Sequence, residues 1–193
     1  MPEKPDYDQP LKFSLISDPD GFLDIFAPWL KHQETLSSEL PEIPRQADQA
    51  WKVALPDGTI GLLHIELQTG PDHEMGERVA EYAIRLWRHF HLPTHSLVIW
   101  LRPAKTLPQS PFGWDWNRQK ALRYSYESLR LWEHPPEKVL ETDHYAIWPL
   151  AGAMGKTVTL ETQWAVVERI NRAPLSYERR SELAVIVGAV AGL

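Results

Sequence analysis

The chain has no cysteine, no apolar run long enough to span a bilayer and no excess of basic charge. Without cysteine there are no disulfides, thiolate zinc sites, iron–sulfur clusters or cysteine nucleophiles, so any metal must be held by oxygen or imidazole. The most apolar stretch, residues 184–193, is ten residues long, about half of a membrane span. The amino-terminal MPEKPDYDQP lacks the basic segment followed by an apolar one that a secretion signal requires. A soluble, cytoplasmic protein with no membrane partner is the expectation. Twenty Lys and Arg against 26 Asp and Glu give a net charge of -6. That balance argues against coating nucleic acid through the overall field, because non-specific affinity comes from neutralising phosphates, but it leaves a local basic groove open.

What is present is material for a core: 193 residues, 43% hydrophobic and nine tryptophans, enough for one domain of ordinary size. Phe22, Leu23, Ile25, Phe26, Trp29 and Leu30 recur at helical spacing behind Ser17 and Asp20, predicting an amphipathic helix. The runs DQAWKVAL and TIGLLHIELQ flank Leu55-Pro56-Asp57-Gly58, a hairpin signal. After the loop TGPDHE, MGERVAEYAIRLWRHF carries a second helical stripe, and THSLVIWL reads as a strand buried on both faces. Residues 118–150 alternate aromatics with charges and suit either edge strands or a helix. Two short helices follow, Leu160 to Asn171 and Ser176 onward, parted by Pro174. His89, His91 and His95 read as surface or capping histidines.

The hairpin register carries chemistry. Leu55-Pro56-Asp57-Gly58 fits a type I turn with Pro second and Gly following in the left-handed conformation, the three-residue hairpin loop. That loop sets Leu55 opposite Thr59, Ala50 opposite His64 and Asp48 opposite Glu66. Opposed residues point to one face with Cβ atoms about 4.5–5.5 Å apart, close enough for two carboxylates to share a divalent cation. His64, Glu66 and Gln68 alternate to that face while Leu63, Ile65 and Leu67 take the other. A one-residue slip would set Asp48 opposite Leu67 and destroy the pairing. The same residues also suit a solvated polar strand face with incidental acids.

Asp48, the hairpin and Glu66-Leu67-Gln68 followed by a helix resemble the core of the PD-(D/E)XK nuclease fold, in which an acid begins one strand and an E-x-K triplet lies on the next. Tyr7-Asp8-Gln9-Pro10-Leu11-Lys12, Arg45-Gln46-Ala47-Asp48, His64-Ile65-Glu66-Leu67-Gln68-Thr69 and Arg78 with Tyr82 resemble, more narrowly, the recombination-promoting nuclease / putative transposase family. The resemblance covers about residues 6–150 and, more loosely, the carboxy-terminal helices. It implies an α/β fold with a restriction-endonuclease-like core, a mixed central sheet flanked by helices and a helical carboxy-terminal segment. It divides the chain into a nuclease-like domain, residues 1–150, and a helical extension, residues 151–193.

The resemblance also implies cleavage of DNA phosphodiesters with Mg²⁺ or Mn²⁺. Magnesium commonly takes one or two carboxylates plus water and phosphate oxygens. Asp48 and Glu66 would be ligands, with the backbone carbonyl near Leu67 as a third, and Glu39 matches an acid that many nucleases of this fold place on their first core helix. Glu39 equally suits an exposed loop acid. Gln68 stands where the wider signature has lysine; its amide can hydrogen-bond but brings neither positive charge nor a transferable proton. Gln is customary in the narrower family. Lys52, on the face of Asp48, offers a migrated cation or simply caps the sheet end.

Arg78, Tyr82 and Arg85 form one helical stripe that suits either phosphate contact or pairing with Glu77 and Glu81. Residues 102–130 hold six basic residues, Arg102, Lys105, Arg118, Lys120, Arg123 and Arg130, against Asp115 and Glu127, a local balance of +4. Trp114, Trp116, Tyr124 and Tyr126 interleave with them, which suits a nucleic-acid surface at Arg118, Lys120 and Arg123 or core aromatics beneath a charged face. Three functions remain open: a magnesium-dependent endonuclease acting on DNA, a catalytically weak or inert nuclease-fold module binding DNA or protein, and a structural protein that assembles, as a homodimer for example, through the apolar tail AVIVGAVAGL.

Overall fold

A computed structural model describes residues 8–36, 47–116 and 119–191. The chain divides into two compact units, Trp29–Arg130 and Met1–Pro28 with Leu131–Leu193.

The first unit is α/β. Its sheet comprises β1 (Lys31–Leu36), β2 (Gln49–Ala54), β3 (Ile60–Gln68), β4 (Thr94–Trp100) and β7 (Glu127–Arg130), in the order β1-β2-β3-β4-β7. β2 runs antiparallel to its neighbours β1 and β3, whereas β4 runs parallel to β3 and β7 parallel to β4, so the sheet is mixed. A parallel neighbour needs a long return, and α3 (Met75–Phe90) supplies it between β3 and β4. A separate two-stranded hairpin, β5 (Phe112–Trp116) with β6 (Gln119–Tyr124), precedes β7.

The hairpin register is the expected one: Ala50 pairs with His64 and Ala54 with Ile60. Its cause lies in the turn. Gly58 sits at φ 84°, Leu55 N–H donates to the Thr59 carbonyl at 2.8 Å, and Gly58 N–H donates to the Leu55 carbonyl at 2.9 Å. Asp57 Oδ1 accepts from Thr59 N–H at 2.8 Å, which lowers the Asp57 carboxyl below its ordinary value. That contribution is complete above the usual carboxylate range and is lost as pH falls through the lowered value.

Both faces of β2 and β3 are buried. Trp51, Val53, Leu63, Ile65 and Leu67 line one, and on the other Ala47, Ala50 and Leu62 pack with Tyr82 and Leu86 of α3. The polar face is therefore not solvated. Helix α3 ends where His91 adopts φ 54° and returns its N–H to the Trp87 carbonyl, so this histidine is a cap. β4 is buried from Ser96 to Trp100, as a strand covered on both sides should be.

The second unit is helical: α1 (Asp8–Ser17), α2 (Pro19–Phe26), α4 (Glu137–Leu140), α5 (Leu160–Asn171) and α6 (Tyr177–Ala191), with 3₁₀ segments at Leu131–Glu133 and Tyr145–Ala153. The longer 3₁₀ segment is its hub, with Ile147 to Ala153 buried and contacts to α1, α4, α5 and α6. On α6, Leu183, Ile186, Val187 and Val190 are buried at i, i+3, i+4 and i+7, which makes the apolar tail a core helix on that face. Helix α2 is shorter than its apolar spacing suggests. Asp18 rather than Ser17 or Asp20 caps it, through Gly21 N–H, and it stops at Phe26, because the residue before Pro28 is biased out of helix. Trp29 and Leu30 lie beyond it. Among the described residues, no helix is long and apolar enough to cross a membrane.

Because Gly58 alone carries the left-handed step of this turn, Gly58→Ala should cost about 1–2 kcal/mol. Gly70 lies outside the left-handed region with nothing within 4 Å of an added Cβ, so Gly70→Ala should stay within about 0.5 kcal/mol of the parent. Equal urea midpoints for the two variants would contradict the turn assignment.

Candidate metal centre at the strand ends

Beyond the last paired residues of the hairpin, two carboxylates meet. Asp48 precedes β2 and Glu66 lies near the end of β3, and each holds the backbone of the other strand. Leu67 N–H donates to Asp48 Oδ2 at 2.7 Å, and Asp48 N–H donates to Glu66 Oε1 at 3.3 Å. The two acids are thus tied across the strands by reciprocal backbone contacts.

Glu66 is 3% exposed, a burial that an ionised group tolerates only when its oxygens are satisfied. Oε1 also lies 2.9 Å from His64 Nε2, and Oε2 lies 3.3 Å from Arg78 Nη2. Arg78 reaches the other way to Asp72, 3.0 Å from its Nη1, so two carboxylates share one guanidinium. Tyr82, one turn further along α3, meets the His64 ring edge-on with centroids 5.3 Å apart. Arg85 pairs with Glu81 on its own helix, away from the acids.

A strand residue sends its N–H and C=O to the same side. Leu67 N–H faces Asp48, so its carbonyl leaves toward the acids too, while the Gln68 carbonyl turns the other way and accepts from Leu101 N–H at 2.7 Å. The side chain of Gln68 is half-buried and shares the face of Glu66 by strand alternation. Lys52 is further along β2 toward the turn, opposite Leu62, and stands 3.9 Å from Glu34 of β1. The structure therefore joins Asp48, Glu66, Leu67 and Arg78 directly, sets Tyr82 against His64 beside them, leaves Gln68 on the Glu66 face by alternation alone, and sets Lys52 apart. Glu39 and Arg118 lie outside the described residues.

The β5–β6 hairpin flanks this centre. Phe112 packs on the start of α3, where a Cβ at Gly76 would come within 2.8 Å of it. Lys120 and Arg123 are exposed, Arg123 across from Gly113, while Trp114 takes the opposite face across from Leu122, edge-on to Phe112, and is 54% exposed. Tyr124 turns inward instead, its hydroxyl 2.8 Å from Ser96 Oγ, and Tyr126 is buried. Burial pushes both phenols above their ordinary values. The inward tyrosines are thus core groups.

No protein-family model, curated protein or solved structure matches this chain. The residues at the centre speak through their own chemistry. Among the described residues no group of three or more His, Cys, Asp or Glu side chains is arranged to hold a metal ion. Magnesium dehydrates reluctantly and is commonly bound by one or two carboxylates, with water and substrate phosphate completing the shell. The oxygens that could be offered to such an ion are those of Asp48, Glu66 and the Leu67 carbonyl, with Arg78 standing on Glu66 Oε2. Ser96 and Asp72 were not legible as site residues: Ser96 sits inside an apolar strand and Asp72 inside a loop, and only the parallel register and the helix geometry bring them in.

The Glu66–Arg78 pair should be energetically coupled. In a double-mutant cycle of Glu66→Gln and Arg78→Met followed by urea unfolding, the coupling should be about 0.5–3 kcal/mol. Additive effects would mean that Arg78 does not neutralise Glu66 in solution.

Proposed function

We propose that the chain is a divalent-metal-dependent DNA endonuclease with a restriction-endonuclease-like core, similar to the recombination-promoting nuclease / putative transposase family. The observation that carries this reading is the reciprocal contact of Asp48 and Glu66 across the β2–β3 hairpin, with the Leu67 carbonyl on the same side. An acid at the start of one strand, an E-x-Q triplet on the next and a helix behind it then occur in three dimensions in the order the resemblance requires.

In this reading Asp48, Glu66 and the Leu67 carbonyl hold Mg²⁺ or Mn²⁺, which when bound polarises a phosphoryl oxygen and supplies an activated water. Gln68, on the same face, donates its amide to a phosphate oxygen and orients it, without adding charge. Arg78 has a second task. Its guanidinium neutralises Glu66 and Asp72 in the resting chain, and a planar fork suits a phosphate equally well. Lys120 and Arg123 on the exposed side of β6 track the backbone. The rest of the chain's acidity does not oppose this, because phosphate contacts act over about a Debye length.

A second reading has its own support. Both oxygens of Glu66 are engaged by protein groups and Gln68 lacks the charge of lysine, features that also suit a nuclease-fold module that binds DNA without cutting it.

Plasmid nicking by the purified protein decides between them. With Mn²⁺ the chain should convert supercoiled to open-circular DNA, and Asp48→Ala or Glu66→Ala should slow this at least about 100-fold, since even outer partners of metal ligands are worth 10–100-fold. Nicking that survives both substitutions, or calorimetry showing no Mg²⁺ or Mn²⁺ uptake lost in them, would defeat the nuclease reading. Independently, Lys120→Gln and Arg123→Gln should each lower the slope of log affinity against log salt by about 1; unchanged slopes would remove β6 from the DNA path.

A further inference from the structure

Behind Glu66 stands a queue of polar groups to which the proposed chemistry gives no part. His64 Nδ1 lies 2.9 Å from Ser96 Oγ, and Ser96 Oγ lies 2.8 Å from the Tyr124 hydroxyl. On its other side His64 Nε2 lies 2.9 Å from Glu66 Oε1. His64 and Ser96 are wholly buried, so their polar atoms depend on one another. The backbone fixes the arrangement: His64 and Glu66 are two apart on β3, Ser96 is the parallel-register partner of His64 on β4, and Tyr124 closes the β6 end of the neighbouring hairpin.

The protons can be placed by inventory. A carboxylate only accepts, so His64 Nε2 carries a hydrogen and donates it to Glu66. A ring with its one hydrogen at Nε2 presents a lone pair at Nδ1, to which Ser96 donates, and the Ser96 oxygen in turn accepts from Tyr124. Burial keeps the Tyr124 phenol protonated at neutral pH, outweighing the smaller opposite effect of its Ser96 hydrogen bond. Every donor in the queue points toward Glu66. The edge-on contact with Tyr82 sets the plane of the imidazole from above.

We infer that Tyr124, Ser96 and His64 are positioning residues that hold the Glu66 carboxylate in the orientation in which it takes a divalent cation together with Asp48. The inference rests on the metal-site reading proposed above and adds three residues to it, two of them on strands outside the hairpin. Outer partners of this kind fix the rotamer and the hydrogen-bond direction of a ligand, and removing one typically weakens metal binding 10–100-fold.

The test uses the full chain at pH 7 with Mn²⁺ as the probe. Long-range ¹H–¹⁵N correlation of the His64 side chain should show the Nε2–H tautomer in the parent. In Ser96→Ala the Nδ1 resonance should shift as its donor is lost, and calorimetry should show the Mn²⁺ Kd raised about 10–100-fold. Ser96→Thr, which retains the hydroxyl, should bring both readouts back toward the parent. A merely structural role would lower the thermal midpoint without moving the Kd. An Nδ1–H tautomer in the parent, or parent-like Mn²⁺ affinity in Ser96→Ala, would overturn the positioning inference while leaving the metal site intact. Absence of Mn²⁺ binding in the parent itself would instead overturn the metal reading and this role with it. Should Ser96→Ala fail to fold, Tyr124→Phe on the half-buried outer link carries the same comparison, and an unchanged Kd there counts against the inference.

Discussion

Two hydrogen bonds at the open end of the β2–β3 hairpin decide what this molecule can do. Leu67 N–H on Asp48 and Asp48 N–H on Glu66 tie each acid to the opposite strand, and both depend on a register set at the far end by Gly58 in its left-handed conformation. Strand side chains alternate with a period of two, so a slip of one residue would turn Asp48 away from Glu66 and toward the apolar set. The chemistry of the open end is therefore fixed by the geometry of the turn, through the intervening ladder of paired residues. No contact local to the acids would do this alone.

The second constraint is that the polar face lies beneath a helix. Burying a carboxylate, an imidazole and a hydroxyl is unfavourable unless each finds a partner. Here Glu66 has His64, Arg78 and a backbone N–H, and His64 has Ser96. A satisfied network of that kind gives the site one arrangement. It also explains why α3 is amphipathic in an uneven way, with Tyr82 and Leu86 on apolar ground and Arg78 reaching over the acids. In the metal-site reading proposed above, the guanidinium that holds Glu66 is the group that must let go of it before a cation is taken.

Much of this was legible in the residues. The turn sequence Leu55-Pro56-Asp57-Gly58 specifies its own geometry, and from it the pairing of Ala50 with His64 follows by counting. The stripe of α3, the apolar run of β4 and the extent of α5 are equally local, and they were readable for the same reason. Strand β1 was not, because an edge strand reading KHQETL is mostly exposed, carries a bulge between His32 and Glu34, and has no apolar alternation to betray it. The 3₁₀ hub at Tyr145–Ala153 is apolar without a helical period and so gives no pattern to count. Residues 118–150 held two strands of different sheets, a distinction that only long-range pairing makes. At the site, the sequence placed Asp48, Glu66 and Arg78 but was silent on Ser96, whose role comes wholly from parallel register.

The central claim is that Asp48, Glu66 and the Leu67 carbonyl form one cation site. Paramagnetic broadening by substoichiometric Mn²⁺, read on the assigned amide resonances of the full chain, tests it most directly, because the effect falls steeply with distance from the ion. The amides of Asp48, Glu66 and Leu67 should disappear first, with those of α3 near Arg78 next and those around Gly58, at the far end of the same hairpin, unaffected. Broadening that begins at other acids, or that spreads evenly over the acidic surface, would contradict the account.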